Sequence, residues 1–291
     1  MGFDSRKNLI IWVVIVLVGL NLFAWGWVFQ ESRSSFLRVI FFDVGQGSAV
    51  LIETPQKTQI LVDGGPGPQI VERLGQALPF FDRSLDLIVS THPDFDHLAG
   101  LVEVLKSYRV GAVAGTGVRG QTAEYEEFLA EAERERADQI VLKKGQVLRA
   151  GSDLKIEVLA PLEDFAGREV KDYNRSSLVL KVSYGQTDFL LTGDSPVSVE
   201  KELVEKMRDK LDIEVLQVGH HGSQSSTSQA WLEATSPEIA VIQVGQKNKY
   251  GHPSQEVLEK LKSYGIKILR TDETGDIRFL SDGYAISLIS N

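Results

Sequence analysis

Residues 91–100 read THPDFDHLAG and follow LDLIVS, an apolar run with the look of a buried strand. Within six positions, His92, Asp94, Asp96 and His97 stand where that strand gives way to a loop. Taken alone, such a stretch reads as a solvated strand-to-helix connection, with Asp96 or His97 capping the helix suggested by LAGLVEVLKSY. The rest of the chain argues for more. It holds five histidines, His92, His97, His220, His221 and His252, and each lies in a short segment rich in Gly, Pro or Asp after a strand-like run. That distribution points to one shared site.

Four segments share a pattern, a strand ending in a potential ligand. They are LIVSTHPDFDH, FLLTGD ending at Asp194, LQVGHHGS with His220 and His221, and ILVDGG with Asp63. Carboxylates and neutral imidazoles are the donor set for divalent cations, and strand ends can aim them rigidly at one point. His92 and Asp94 alternate as on a pleat, while Asp96 and His97 turn into the loop, where they could serve a second ion. Two-metal sites, with ions about 3.5–4 Å apart, activate water and stabilise a leaving oxygen. The pattern is that of a metal-dependent hydrolase.

The remaining sequence sets the frame. At 291 residues and 43% hydrophobic, the chain can bury a sizeable core. LRVIFFDV, SAVLIET and TQILVDGG open in the manner of a meander. LKIEVLAP, SSLVLKVSY, TDFLLTGD, IEVLQVGHH and EIAVIQVGQ follow, interspersed with helical patterns at 124–136, 198–210, 228–235 and 254–263. No linker divides 37–291, which reads as one domain of two packed sheets with helices outside. The absence of cysteine excludes disulfides, thiolate ligands and cysteine nucleophiles. The net charge is −9, and −10 without residues 1–30, an acidity that argues against generic nucleic-acid binding. A phosphate substrate would depend on local cations or bound metal.

Residues 8–30, NLIIWVVIVLVGLNLFAWGWVFQ, are uncharged and long enough to span a bilayer. They follow Arg6 and Lys7 and end in AWGWVFQES, without the small residues of a cleavage site. Residues 1–30 therefore read as a transmembrane anchor rather than a cleaved signal peptide, with Trp25 and Trp27 suited to the interface. Residues 31–36 read as a linker. Residues 37–291 then face outward across the cell membrane, although Arg33 and Arg38 weaken the charge asymmetry.

THPDFDHLAG, TGD and GHHGS, in this order, resemble the metallo-β-lactamase superfamily, whose signature is H-x-H-x-D-H. FFDVGQGSAVLIET, LVDGG, NRSSLVLKVSYGQTDFLLTGD, VLQVGHHGS and NKYGHPSQEVLEKLKSYGIKILRTDETGDI are similar to the C-terminal hydrolase domain of ComEC competence proteins, over about residues 37–289. The resemblance implies an α/β fold, a four-layer αβ/βα sandwich with its site at one edge of the sheets, and cleavage of single-stranded DNA or a related phosphodiester. By this resemblance His92 and Asp94 hold one of two divalent ions, Asp96 and His97 the second, and Asp194 bridges them. His220 or His221 completes the second ion, and His220 is favoured because it directly follows the strand and Gly219. Asp63 orients a ligand, and catalytic roles fall to Asp96, Asp194 and His252.

Two departures matter. Asp94 replaces the second histidine of the signature, and Asn174, in YNRSS, stands where the wider superfamily has another. Oxygen-rich ligation favours Mn²⁺ or Mg²⁺ over Zn²⁺. In QKNKYGHPS, Lys247, Lys249 and Tyr250 make a basic loop suited to a phosphate. Two further readings are hydrolysis of another cell-surface ester, amide or phosphoester, and a non-catalytic metal-binding module of a DNA-uptake machine.

Overall fold

The computed structural model describes residues 5–31, 36–151 and 153–289, with side chains of the first segment described over 9–25. The chain divides into two compact units, Met1–Ser35 and Phe36–Asn291. The first holds helix α1 (Ser5–Glu31), whose described side chains are exposed and mostly apolar. Among the described residues, no helix is long and apolar enough to cross a membrane. The span expected at 8–30 runs past the described side chains at both ends; Arg6, Lys7, Trp27 and residues 32–35 of the expected linker lie outside them.

In the second unit, β1 (Leu37–Phe41), β2 (Val50–Glu53) and β3 (Gln59–Val62) form an antiparallel meander. Helix α2 (Gln69–Ala77) leads to β4 (Ser84–Val89), α3 (Phe95–Ser107) to β5 (Arg109–Gly115) and α4 (Ala123–Glu135) to β6 (Asp138–Val141), each strand pairing parallel with the one before. The plan then repeats. An antiparallel run, β7 (Val147–Ala150), β8 (Leu154–Ala160), β9 (Val179–Tyr184) and β10 (Thr187–Leu191), gives way to parallel strands linked by helices. These are α5 (Val197–Met207), β11 (Val215–Gln217), α6 (Gln229–Thr235), β12 (Ile239–Ile242), α7 (Gln255–Ser263) and β13 (Lys267–Arg270). After the one-turn α8 (Thr271–Thr274), β14 (Ile277–Ser281) and β15 (Ile286–Ile289) return to the first sheet beside β1. The sheet orders are β15-β14-β1-β2-β3-β4-β5-β6 and β13-β12-β11-β10-β9-β8-β7.

Side-chain alternation along each strand produces the layering. Val39 and Phe41 of β1 point between the sheets and join Ile156, Val182 and Phe189 of the second sheet; Phe279 of β14 lies edge-on to both Phe41 and Phe189 at 5.9 Å. Ile40 points the other way, onto Leu74 of α2 and Leu101 of α3. Across the molecule Leu190 and Leu216 pack against Leu203 of α5, Trp231 of α6 and Leu261 of α7. Three apolar cores thus hold four layers, each buried Leu or Phe contributing about 1.5–3 kcal/mol. Thr122, Ser228 and Ser254 cap α4, α6 and α7 by accepting from backbone N–H groups. The helical pattern expected to run to 210 stops at Met207, where a 3₁₀ turn at Arg208–Lys210 takes over.

Candidate metal centre

The ends of β3, β4, β10 and β11 meet at one edge of the two sheets, and glycines make the meeting close. A Cβ on Gly100 of α3 would lie 1.8 Å from the carbonyl oxygen of Gly64, so only two glycines let the helix sit on the end of β3. Gly64 N–H donates to the His97 carbonyl at 2.8 Å, and Gly100 N–H donates to Gly65 at 2.8 Å. These bonds fix α3 against the strand. The N-cap of α3 is Asp94, not Asp96 or His97; those two lie in its first turn, and their side chains turn into the site.

Asp63 anchors the floor. Its Oδ1 accepts from Thr91 N–H at 2.8 Å, and its Oδ2 accepts from Thr91 Oγ1 at 2.8 Å and from His97 Nδ1 at 2.7 Å. The tautomers follow. With the Thr91 hydroxyl hydrogen directed at Asp63, Thr91 Oγ1 accepts from His92 Nδ1 at 3.0 Å. His221 Nδ1 donates to the Gln243 carbonyl at 2.9 Å, since a carbonyl can only accept. All three imidazoles therefore carry hydrogen on Nδ1 and turn Nε2 toward one another's neighbourhood, the arrangement that neutral histidine needs to ligate a cation.

Of the five buried side-chain atoms without a hydrogen-bond partner among the described residues, three are His92 Nε2, His97 Nε2 and Asp194 Oδ1. His97 Nε2 and Asp194 Oδ1 lie 3.1 Å apart without hydrogen-bond geometry. Donor atoms of His92, His97 and Asp194 fall within 4.8 Å of one another, as do those of Asp96, His97 and His221. Orphaned buried polar atoms are rare because each costs about 1–3 kcal/mol. Here they are electron-pair donors aimed at a common space, and they fit a divalent cation.

The metal-free charge balance agrees. Burial disfavours the charge on His97, but Asp194 and Asp63 prevail and hold its pKa well above 6.5. His221 is raised too, against burial, by Asp194 and by its 3.1 Å hydrogen bond to Asp96 Oδ2. Burial pushes Asp194 up, yet the fields of His97 and His221 hold it well below 3.8. Asp96, also opposed by burial, is brought down to about 2 by the His221 hydrogen bond and by His97. Protons occupy the role that a cation would take.

The paired histidines depart from expectation. His220 and His221 both adopt left-handed backbone, φ +49° and +54°, as does Asp63 at +58°. Such conformations cost on the order of 1–3 kcal/mol each and gather at functional sites. The two consecutive turns bury His221 under Gln243 and lift His220 to the rim, where its Nδ1 pairs with Ser225 Oγ at 2.9 Å and its Nε2 lies 3.6 Å from Asp194 Oδ2. His221, not the expected His220, belongs to a convergent donor group.

Asp94 Oδ2 lies 3.4 Å from His92 Nε2, outside both groups. A cavity of about 320 Å³ above the donors is lined by Asp94, Asp96, Asn174, Asp194, His220, His221, Tyr250 and His252, bringing together most of the expected residues. Asn174 begins a 3₁₀ turn on its wall. Lys249 reaches it only indirectly, with Nζ 5.3 Å over the Tyr250 ring, and Lys247 is exposed and not on the wall. Burial, with His220 and His221 beside it, lowers the pKa of His252.

Sequence reading missed several parts. Thr91 stands inside the opening motif, unread because a threonine there carries no ligand signal. Gln243 follows β12 and does three jobs: its carbonyl holds His221, its Nε2 donates to Phe42 and Ala49 carbonyls of the other sheet's side, and its Oε1 accepts from Gln217. It obeys the same strand-then-polar pattern as the ligands, a signal available in EIAVIQVGQ. Asn248 holds the loop, bonding Gly245, Tyr250 and His252 backbone groups. Gln46 and Phe95 complete the cavity wall.

A profile described as the metallo-beta-lactamase superfamily matches residues 42–246. The chain belongs to this superfamily. Within it, the similarity is to proteins of the ComEC family. The ComE operon protein 3 of Bacillus subtilis (strain 168) is 32% identical over 265 residues, covering 84% of this chain and 33% of that protein. The competence protein ComA of Neisseria gonorrhoeae is 34% identical over 272 residues, covering 92% of this chain and 35% of that one. The chain thus spans about a third of the length of these relatives. Among solved structures, the metallo-beta-lactamase fold protein YhfI of Bacillus subtilis superposes with a TM-score of 0.55 at 12% identity, covering 84% of this chain and 100% of its own. CmlA, a diiron beta-hydroxylase from Streptomyces venezuelae, gives 0.53 at 15% identity, covering 84% and 54%. One superfamily fold therefore carries unlike chemistries, and the reaction must be argued from the site.

Proposed function

We propose that this protein is a membrane-anchored, metal-dependent hydrolase that cleaves phosphodiester bonds, with single-stranded DNA outside the cytoplasmic membrane as its substrate class. The observation that carries the reading is the convergence of three buried, partnerless donor atoms on His92, His97 and Asp194. In this reading His92, Asp94 and Asp194 would hold one ion, and Asp96, His97, His221 and Asp194 the other, with Asn174 on the cavity wall. Bound divalent cations supply Lewis-acid polarisation of a phosphoryl oxygen and acidify water enough to make it a nucleophile at neutral pH.

The chain's own groups do the rest. Asp63 locks the His97 ring and, through Thr91, the His92 ring. His252, neutral because its pKa is lowered, presents an uncharged imidazole to a substrate oxygen. Lys249 and Tyr250 meet the backbone of the strand, and Lys247 adds positive charge on the same loop. Three carboxylates among the donors, with the Asn174 amide on the cavity wall, favour Mn²⁺ or Mg²⁺, with Zn²⁺ the alternative. The uncharged residues 8–30 after Arg6 and Lys7 support a single-pass anchor with the domain outside. Protease shaving of intact cells should then remove the domain; protection until lysis would reverse the orientation. That Asp94 lies outside both convergent donor groups favours one second reading, a metal-binding module of a DNA-uptake machine that does not turn over.

The deciding experiment is metal-dependent hydrolysis by the unit from Phe36 onward, tried on single-stranded DNA, duplex DNA, RNA and small diesters. Cleavage of single-stranded DNA with added Mn²⁺ is expected. Bound metal without turnover of any substrate would establish the module instead.

A further inference from the structure

Phe95 stands between two carboxylates in the opening motif, yet it belongs to none of the three apolar cores. It is 51% exposed and lines the cavity above the donors. Tyr250, 59% exposed, lines the same cavity; its ring stands nearly parallel to His252, 15° and 5.9 Å away, with the Lys249 ammonium 5.3 Å from its centre. Neither ring helps the fold by burial, and neither offers a ligand to a metal. Both present π surface to the space where the substrate must lie.

Resting on the phosphodiesterase reading, we propose that Phe95 and Tyr250 form a base-binding subsite, in which the nucleobase next to the scissile phosphate stacks on Phe95 and is walled by Tyr250. Stacking on an aromatic side chain tolerates every base because every base has a π face. The cavity, about 320 Å³, lies at the small end of ligand clefts and suits one nucleotide unit rather than a duplex. A duplex base is already stacked and paired, so the subsite selects single strands. The mixed lining suits a nucleotide, apolar on its base and anionic on its phosphate, with Lys249 beside the ring to meet the charge. In a chain of net charge −9, stacking also supplies attraction that electrostatics does not.

The test compares oligothymidylate with a deoxyribose-phosphate oligomer of the same length that lacks all bases, using the full chain with Mn²⁺. Wild type should prefer the base-bearing oligomer in kcat/KM by about 5- to 100-fold, the range that one stacked base contributes. Phe95→Ala should erase most of that preference at unchanged metal content, Phe95→Trp should restore it, and Phe95→Leu should not. A preference that survives Phe95→Ala would overturn the subsite and leave the hydrolase reading standing. Failure of the wild type to cleave either oligomer would overturn both.

Discussion

On the floor of the site, Asp63 holds Thr91 and His97 through three bonds of 2.7–2.8 Å, and His92, His97 and His221 each have Nδ1 committed to a protein acceptor. On the rim, His220, Tyr250 and His252 meet through ring contacts of 5.8–5.9 Å, and Phe95 and Tyr250 stand half in water. The floor fixes its donors in place by hydrogen bonds, and the rim leaves its rings exposed around the cavity. Adjacent residues, His220 and His221, thus stand in different surroundings, separated by burial and by the partner of each Nδ1.

Substitutions on the floor and on the rim should have unlike effects. Asp194 belongs to one donor group, and its Oδ2 lies 3.7 Å from His221 Nε2 of the other, so Asp194→Asn should lower turnover by at least about 1,000-fold while circular dichroism and the melting curve stay native; a near-normal rate would remove the carboxylate from the centre. The paired histidines give the sharpest comparison. His221→Ala should cost about 100-fold in metal affinity, whereas His220→Ala should keep metal and lose only several-fold in kcat/KM. Equal losses of metal would place both on the floor. Asp63→Asn should weaken metal binding by about 10- to 100-fold without touching an ion, because the rings of His97 and His92 lose their common support; unaltered affinity would make Asp63 a fold residue only. The smallest effect belongs to Asp94→His, which adds a nitrogen donor and should shift the activating metal from Mn²⁺ toward Zn²⁺ by several-fold in a competitive titration. No shift in preference would show that Asp94 does not set it.

Much of this was legible in the sequence for a local reason. Polar side chains placed at strand ends sit next to the apolar runs that announce those strands, so the candidates Asp63, His92, Asp96, His97 and Asp194 could be picked out one segment at a time. The sheets were legible through period two, since Val39 and Phe41 face one core and Ile40 the other. What escaped depends on backbone turns or on distant partners. Two successive left-handed residues reversed the order expected at 220 and 221, and no periodicity reports such a turn. Gln243 matters through carbonyls of residues 42 and 49, far away in sequence. Helix α2 carries an apolar pair one turn apart, Ile70 and Leu74, but over only nine residues after PGP, too short a run to stand out, and the outer strands β6, β7 and β15 are largely exposed and lack a marked apolar repeat.

Calorimetric titration of Mn²⁺ into the metal-free protein, run at several pH values beside Asp194→Asn, reads the donor groups themselves. His97 and His221 have raised pKa values in the metal-free site, so binding must release protons, and apparent affinity should climb with pH until both imidazoles are already neutral. The account predicts two ions per chain, proton release, and loss of binding in Asp194→Asn. Fewer than one ion per chain at any pH, or binding indifferent both to pH and to Asp194, would contradict it.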